Sequence, residues 1–190
     1  MRCWTRRAAI RDNGRMSFHH VAIATRDLDA TNAFYTGAMG FTLDRIVVAP
    51  SPEQGWARHA FYDTGNGQMI AFWDLHDDPA IGEFDPSISR GLGLPAWTNH
   101  LAFGADTLEE LTAQRQRWLD HGLDVAEIDH GWCTSIYTMD PNDIMVEFCC
   151  TTVATSAADR ARAQELLTAE RPELEAPPEP VFYSAARATV

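Results

Sequence analysis

The chain has 190 residues, 45% of them hydrophobic, enough for one substantial core or for two small repeats that share one. A formal net charge of -12 argues against a phosphate-backbone partner, so no nucleic acid is expected. No stretch approaches the roughly 20 apolar residues that a membrane-spanning helix needs, so no membrane partner is expected either.

Residues 1–16 hold Arg2, Arg6, Arg7, Arg11 and Arg15 but no apolar stripe, and read as a disordered extension rather than a transit peptide. Residues 17–75 form a first module. FHHVAIAT reads as a strand and DLDATNAFYTGAM as a helix, which Asp27 or Asp29 can cap through its free N–H groups and Gly40 ends. FTLDRIVVA, WARHAFYD and QMIAFWDL read as three strands, the last two joined by the hairpin signal TGNG. Residues 76–95 are a Gly/Pro/Asp-rich linker.

Residues 96–151 repeat the plan. TNHLAFGA reads as a strand and TLEELTAQRQRWLDH as an amphipathic helix ended by Gly122. LDVAEIDH, CTSIYTMD and DIMVEFCC follow as strands, the last two joined by DPND. The order β-α-β-β-β thus occurs twice, which predicts an α+β fold of two tandem βαβββ modules forming a cupped mixed sheet. Residues 152–190 read as a helix, AADRARAQELLTAE, and a Pro/Glu-rich tail whose VFYS segment can anchor on the body or on a partner subunit. Cys3, Cys133, Cys149 and Cys150 show neither CxxC spacing nor a disulfide framework, as expected of a reducing, cytoplasmic location.

Three residues stand out as metal ligands. His20 and His100 occupy equivalent places in the two first strands, and Glu147 is the one polar residue of the otherwise apolar IMVEFCC. A buried carboxylate needs a partner, and a metal is an obvious one. Two imidazoles and one carboxylate leave open positions, a donor set that suits Fe(II) or Mn(II). Aligning TGNG with DPND sets Ala71 opposite Glu147, and a one-residue slip would set Phe72 there; neither binds metal. His59 shares the parity of Phe61, which corresponds to Tyr137, so His59 and Phe61 are expected to face the same cavity, with a satisfied core histidine as the alternative for His59. His19 is expected to point to the opposite face from His20.

FHHVAIATRDLDATNAFYTGAMGF resembles the opening of vicinal oxygen chelate modules, and NHLAFGA resembles a second such opening. IDHGWCTSIYTMDPNDIMVE resembles the ring-cleavage signature of type I extradiol dioxygenases, with Asp143 where that pattern has Gly. A turn Asp tolerates the left-handed conformation that Gly supplies. This resemblance implies His130 as an acid/base beside the metal and Tyr137 as a hydrogen-bond donor to a substrate oxygen. It also implies a small-molecule substrate, a homodimer or larger homo-oligomer, and Fe(II) as cofactor, with Mn(II), Zn(II), Ni(II) or Co(II) as the other metals of the superfamily. The further His that biphenyl-type enzymes carry ahead of the second histidine ligand is missing; Asn99 and Trp97 stand there. The readings left open are an oxygenase of extradiol type, a metal-dependent isomerase, epimerase or lyase, and a metal-free small-molecule-binding protein of the resistance type.

Overall fold

Caps and turns build the same unit twice. The computed structural model describes residues 17–51, 54–65 and 67–186, so the N-terminal extension lies outside the described residues. Strand β1 (His20–Thr25) leads to helix α1 (Leu28–Ala33), where the Asp27 carboxylate accepts from Ala30 N at 2.8 Å. The helix widens into a π-helical stretch at Phe34–Ala38 before Gly40 turns the chain at φ 73°. That left-handed conformation favours glycine there, and the Arg117 guanidinium lies over the space a side chain would take. Strands β2 (Thr42–Pro50), β3 (Trp56–Gly65) and β4 (Gln68–His76) complete the unit, with order β1-β4-β3-β2 and β1 parallel to β4.

The second unit runs β5 (His100–Gly104), α2 (Leu108–Asp120), β6 (Val125–Asp129), β7 (Cys133–Met139) and β8 (Met145–Thr151). Thr107 caps α2 by accepting from Glu110 N at 3.1 Å, and β5 again runs parallel to the last strand. Helix α3 (Ala157–Thr168) follows, opened by a Ser156/Asp159 capping box, with no residue of its own buried. The tail returns as β9 (Val181–Tyr183), which pairs with β6 and widens the second sheet to β5-β8-β7-β6-β9. Hydrogen bonding therefore divides the α+β fold into sheets of four and five strands.

Both sheets contribute to one core. Ile70 and Phe72 from the first and Val146 and Phe148 from the second join Tyr35, Leu111 and Trp118 from the helical segments. Phe41 bridges the halves, its ring 5.0 Å from Phe103 and 6.2 Å from Phe148. A buried polar network adds register. Tyr35 OH donates to Asp140 Oδ2 at 3.1 Å, Thr25 Oγ1 donates to Asn142 Oδ1 at 2.8 Å, and Asn142 Nδ2 donates to Thr31 Oγ1 at 3.1 Å. The DPND turn is thereby tied to the first helix. Because side chains alternate along each strand, the faces opposite this core carry His20 and Ala71 on one sheet and His100, Tyr137 and Glu147 on the other.

Candidate metal centre

Strand register brings His100 and Glu147 together. His100 pairs with Met145 and Ala102 with Glu147 across β5 and β8, so both side chains stand on one face. The Nδ1–H of His100 donates to the Trp97 carbonyl at 3.0 Å, since a carbonyl can only accept. That fixes the tautomer and turns Nε2 toward Glu147 Oε2, 3.0 Å away. Glu147 is only 5% exposed. A neutral imidazole with its proton on Nδ1 would aim a lone pair at a buried carboxylate, which is repulsive. A cation held by both groups removes that repulsion. The donor set, one imidazole nitrogen and one carboxylate, fits a divalent transition metal.

Tyr137 lies directly across from Glu147 in the β7–β8 pairing. Burial above all, with the Glu147 carboxylate adding to it, pushes its phenol up to about 12, so it holds its proton and acts as a donor. Tyr137 OH is 3.0 Å from Nε2 of His130, whose ring is exposed at the end of β6. The two residues that the signature singles out thus form one hydrogen-bonded pair between Glu147 and solvent.

The first sheet carries a matching half. Phe61 pairs with Ala71 and Ala71 with Ala22, just as Tyr137 pairs with Glu147 and Glu147 with Ala102. Ala71 therefore occupies the position equivalent to Glu147. The His20 ring lies 5.4 Å from Phe61 and 6.0 Å from His59. His59 is buried, stacks on Trp73 at 3.8 Å and leaves Nε2 without a partner. Burial, followed by the neighbouring His20, lowers its pKa. This His59 is not the satisfied core histidine of the alternative reading.

The structure brings His100, Glu147, Tyr137 and His130 into one group, and His20, His59, Phe61 and Ala71 into another. Among the described residues, no three His, Cys, Asp or Glu side chains come together to hold a metal within the chain. Two sequence expectations need correction. Phe72 is fully buried in the core, 4.7 Å from Tyr35, because the turn sets Ala71 and not Phe72 on the open face. His19 does not point away from His20; its Nδ1 is 2.9 Å from Nδ1 of His20, since residue 19 precedes the strand and escapes its alternation. The Trp97 carbonyl was not legible, because any residue type supplies that atom.

A family model described as the Glyoxalase/Bleomycin resistance protein/Dioxygenase superfamily matches residues 17–148, well over half of the chain. Among solved structures, a glyoxylase/bleomycin resistance protein/dioxygenase domain from Frankia sp. EAN1pec is 17% identical. The match covers 72% of this chain and 98% of that one, with a TM-score of 0.52. Lactoylglutathione lyase from Agrobacterium tumefaciens is 22% identical over 72% of this chain and 94% of its own, at a TM-score of 0.48. The fosfomycin resistance protein FosX from Listeria monocytogenes is 17% identical over 77% and 98%, also at 0.48. Among curated proteins, none matches the sequence.

Proposed function

The chain belongs to the Glyoxalase/Bleomycin resistance protein/Dioxygenase superfamily, and from that premise we propose that it is a metal-dependent oxygenase of extradiol-dioxygenase type acting on a small aromatic vicinal diol. The observation that carries this reading is the His100–Glu147 pair, with its tautomer set by Trp97 and with Tyr137 and His130 beside it. His20, His100 and Glu147 would hold the metal, Fe(II) in the first instance. When bound, that metal supplies adjacent coordination positions for the substrate oxygens and dioxygen. Ala71 at the fourth corner supports three protein ligands rather than the four of an isomerase-type centre, and it leaves room for substrate.

The chain's own residues divide the remaining work. Tyr137 keeps its proton and would turn its O–H from His130 to donate to a substrate oxygen beside Glu147. The Nε2 of His130 so freed would take the proton that a substrate hydroxyl gives up and release it to solvent, to which its ring is open. Phe61 would line the site on the first module's side, with the His59 ring against it and stacked on Trp73. His20 comes from a second copy of the chain in this reading. Its face is open, with Val47 of the opposite edge strand β2 exposed on it, and a homodimer that apposes the two faces would complete two centres. Oxygen uptake by the anaerobically Fe(II)-loaded protein, measured against a panel of catechols and hydroquinones, tests the reaction. Stoichiometric oxygen consumption with ring cleavage supports it. Turnover with Zn(II), Ni(II) or Co(II) and no oxygen consumption would replace it with isomerase or lyase chemistry.

A further inference from the structure

The segment between the modules reads in sequence as a spacer, yet its serine hydroxyls are buried and committed. Ser87 is 3% exposed and Ser89 1%. Around them the chain folds on itself. Gly91 N donates to Ser87 O at 3.1 Å, Arg90 N to Ser87 Oγ at 3.1 Å, and Leu94 N to Ser89 O at 3.0 Å. What the two hydroxyls hold lies outside the spacer. Ser87 Oγ donates to the Asp143 carbonyl at 3.0 Å, in the turn ahead of Glu147. Ser89 Oγ accepts from Asn99 N at 2.7 Å and donates to Asn99 O at 3.1 Å. The side chain of Asn99 adds a bond from Nδ2 to the Ile88 carbonyl at 2.6 Å.

Asn99 immediately precedes His100, the first residue of β5. Its N–H and C=O are the groups that would continue a strand ladder, and one buried hydroxyl takes both. Ahead of it the chain turns back through a Thr98 N to Pro95 O bond at 3.0 Å. The turn leaves the Trp97 carbonyl where the Nδ1–H of His100 reaches it. A carbonyl is aimed by the main chain on either side of it. The Trp97 side chain, 66% exposed, supplies no such hold, and the clamp at Asn99 does.

We infer that Ser89 is a positioning residue for the metal centre: by clamping the main chain at Asn99 it holds the Trp97 carbonyl against His100 Nδ1 and so keeps the Nε2 lone pair free for a cation. The inference rests on the reading of His100 as a ligand. Co(II) alone is the probe, titrated into the full-length metal-free protein in competition with a chromophoric chelator. NMR of isotope-labelled histidine reads the His100 ring separately, because a protonated ring nitrogen is distinguished from a bare one, and His100→Ala assigns the signals. The wild type should carry the proton on Nδ1. In Ser89→Ala that proton should move largely to Nε2, and Co(II) affinity should weaken about 10–100-fold, as for loss of a partner that orients a ligand. Asn99→Ala removes the Nδ2 contact alone and should weaken it about 2–10-fold. A Ser89→Ala protein that melts lower yet keeps the Nδ1 proton and its Co(II) affinity overturns the inference and leaves Ser89 a stabiliser of the spacer. Where Ser89→Ala fails to fold, Asn99→Ala decides, and an unchanged ring and affinity there overturn the inference. Loss of the Nδ1 proton in Ser89→Ala, beside a wild type that binds no Co(II), keeps the clamp and refutes the metal-site reading alone.

Discussion

Asp140 is the carboxylate on which the turn ahead of Glu147 depends. It is buried and accepts from Asn142 N and Ile144 N at 2.8 Å, from Tyr35 OH at 3.1 Å and from Asn142 Nδ2 at 3.2 Å. Asp140→Ala strands these donors, and each buried donor left unsatisfied costs ~1–3 kcal/mol. With partial relaxation, a loss of ~3–5 kcal/mol is expected. At ~2–4 °C per kcal/mol for a chain of this size, the melting temperature should fall by ~10 °C or more. Tyr35→Phe keeps the ring packing and removes one of the four donors, so it should cost ~1 kcal/mol. The pH dependence gives a sharper test. Burial raises the Asp140 pKa despite the opposing hydrogen bonds. At low pH the carboxyl is protonated in both states. As pH rises past its ordinary value near ~3.9, the unfolded chain ionises first, so this group's contribution to stability declines up to the raised folded value. Asp140→Asn does not titrate. Melting temperatures of wild type minus Asp140→Asn should therefore decrease as pH rises from 4 to 7. A difference that increases with pH would refute the reasoning.

Two further outcomes follow from the same hairpin and its neighbours. Asp143 sits at φ 57°, where a β-branched residue is strained, so Asp143→Gly should be within ~1 kcal/mol of wild type and Asp143→Val should lose ~1–2 kcal/mol or more in thermal unfolding. His130→Ala and Tyr137→Phe should slow turnover by ~10²–10⁴-fold while leaving metal content near that of the wild type, measured by steady-state kinetics beside elemental analysis. Normal turnover in His130→Ala would reduce the signature to a structural feature.

Local chemistry made much of this fold legible. Asp27 as a cap, Gly40 and Gly122 as helix ends, and the alternation of QMIAFWDL and IMVEFCC all act within a few residues, where sequence and backbone are directly coupled. The left-handed Asp143 belongs to the same class, since its conformation follows from its place in the turn. The site was legible where duplication supplied a second copy for comparison. Equivalent histidines and one buried Glu mark positions in strand register, and the registers of β4 and β8 set Ala71 and Glu147 in equivalent places. What sequence did not give was the pairing of distant surfaces. Strand parity does not govern His19, because that residue lies before the strand begins. The tail's composition marks a surface segment with an anchor, and three residues are too few to mark a strand, although β9 puts Phe182 in line with Tyr137. Nor did the repeat reveal that a single chain brings His100 and Glu147 together without His20, because the docking of whole modules depends on the shared core and not on any motif.

The central claim is a metal held by His20 of one copy with His100 and Glu147 of another. Its most direct test is the metal content of a heterodimer that pairs a His20→Ala chain with a Glu147→Ala chain, isolated through two different tags after loading with Fe(II) and dialysis. In this arrangement both lesions fall in one centre and the other centre is intact. The heterodimer should therefore retain half the metal of the wild-type dimer, while each homodimeric variant retains close to none. A heterodimer as empty as the two variants, or a wild-type protein that keeps no metal through dialysis, would contradict the account.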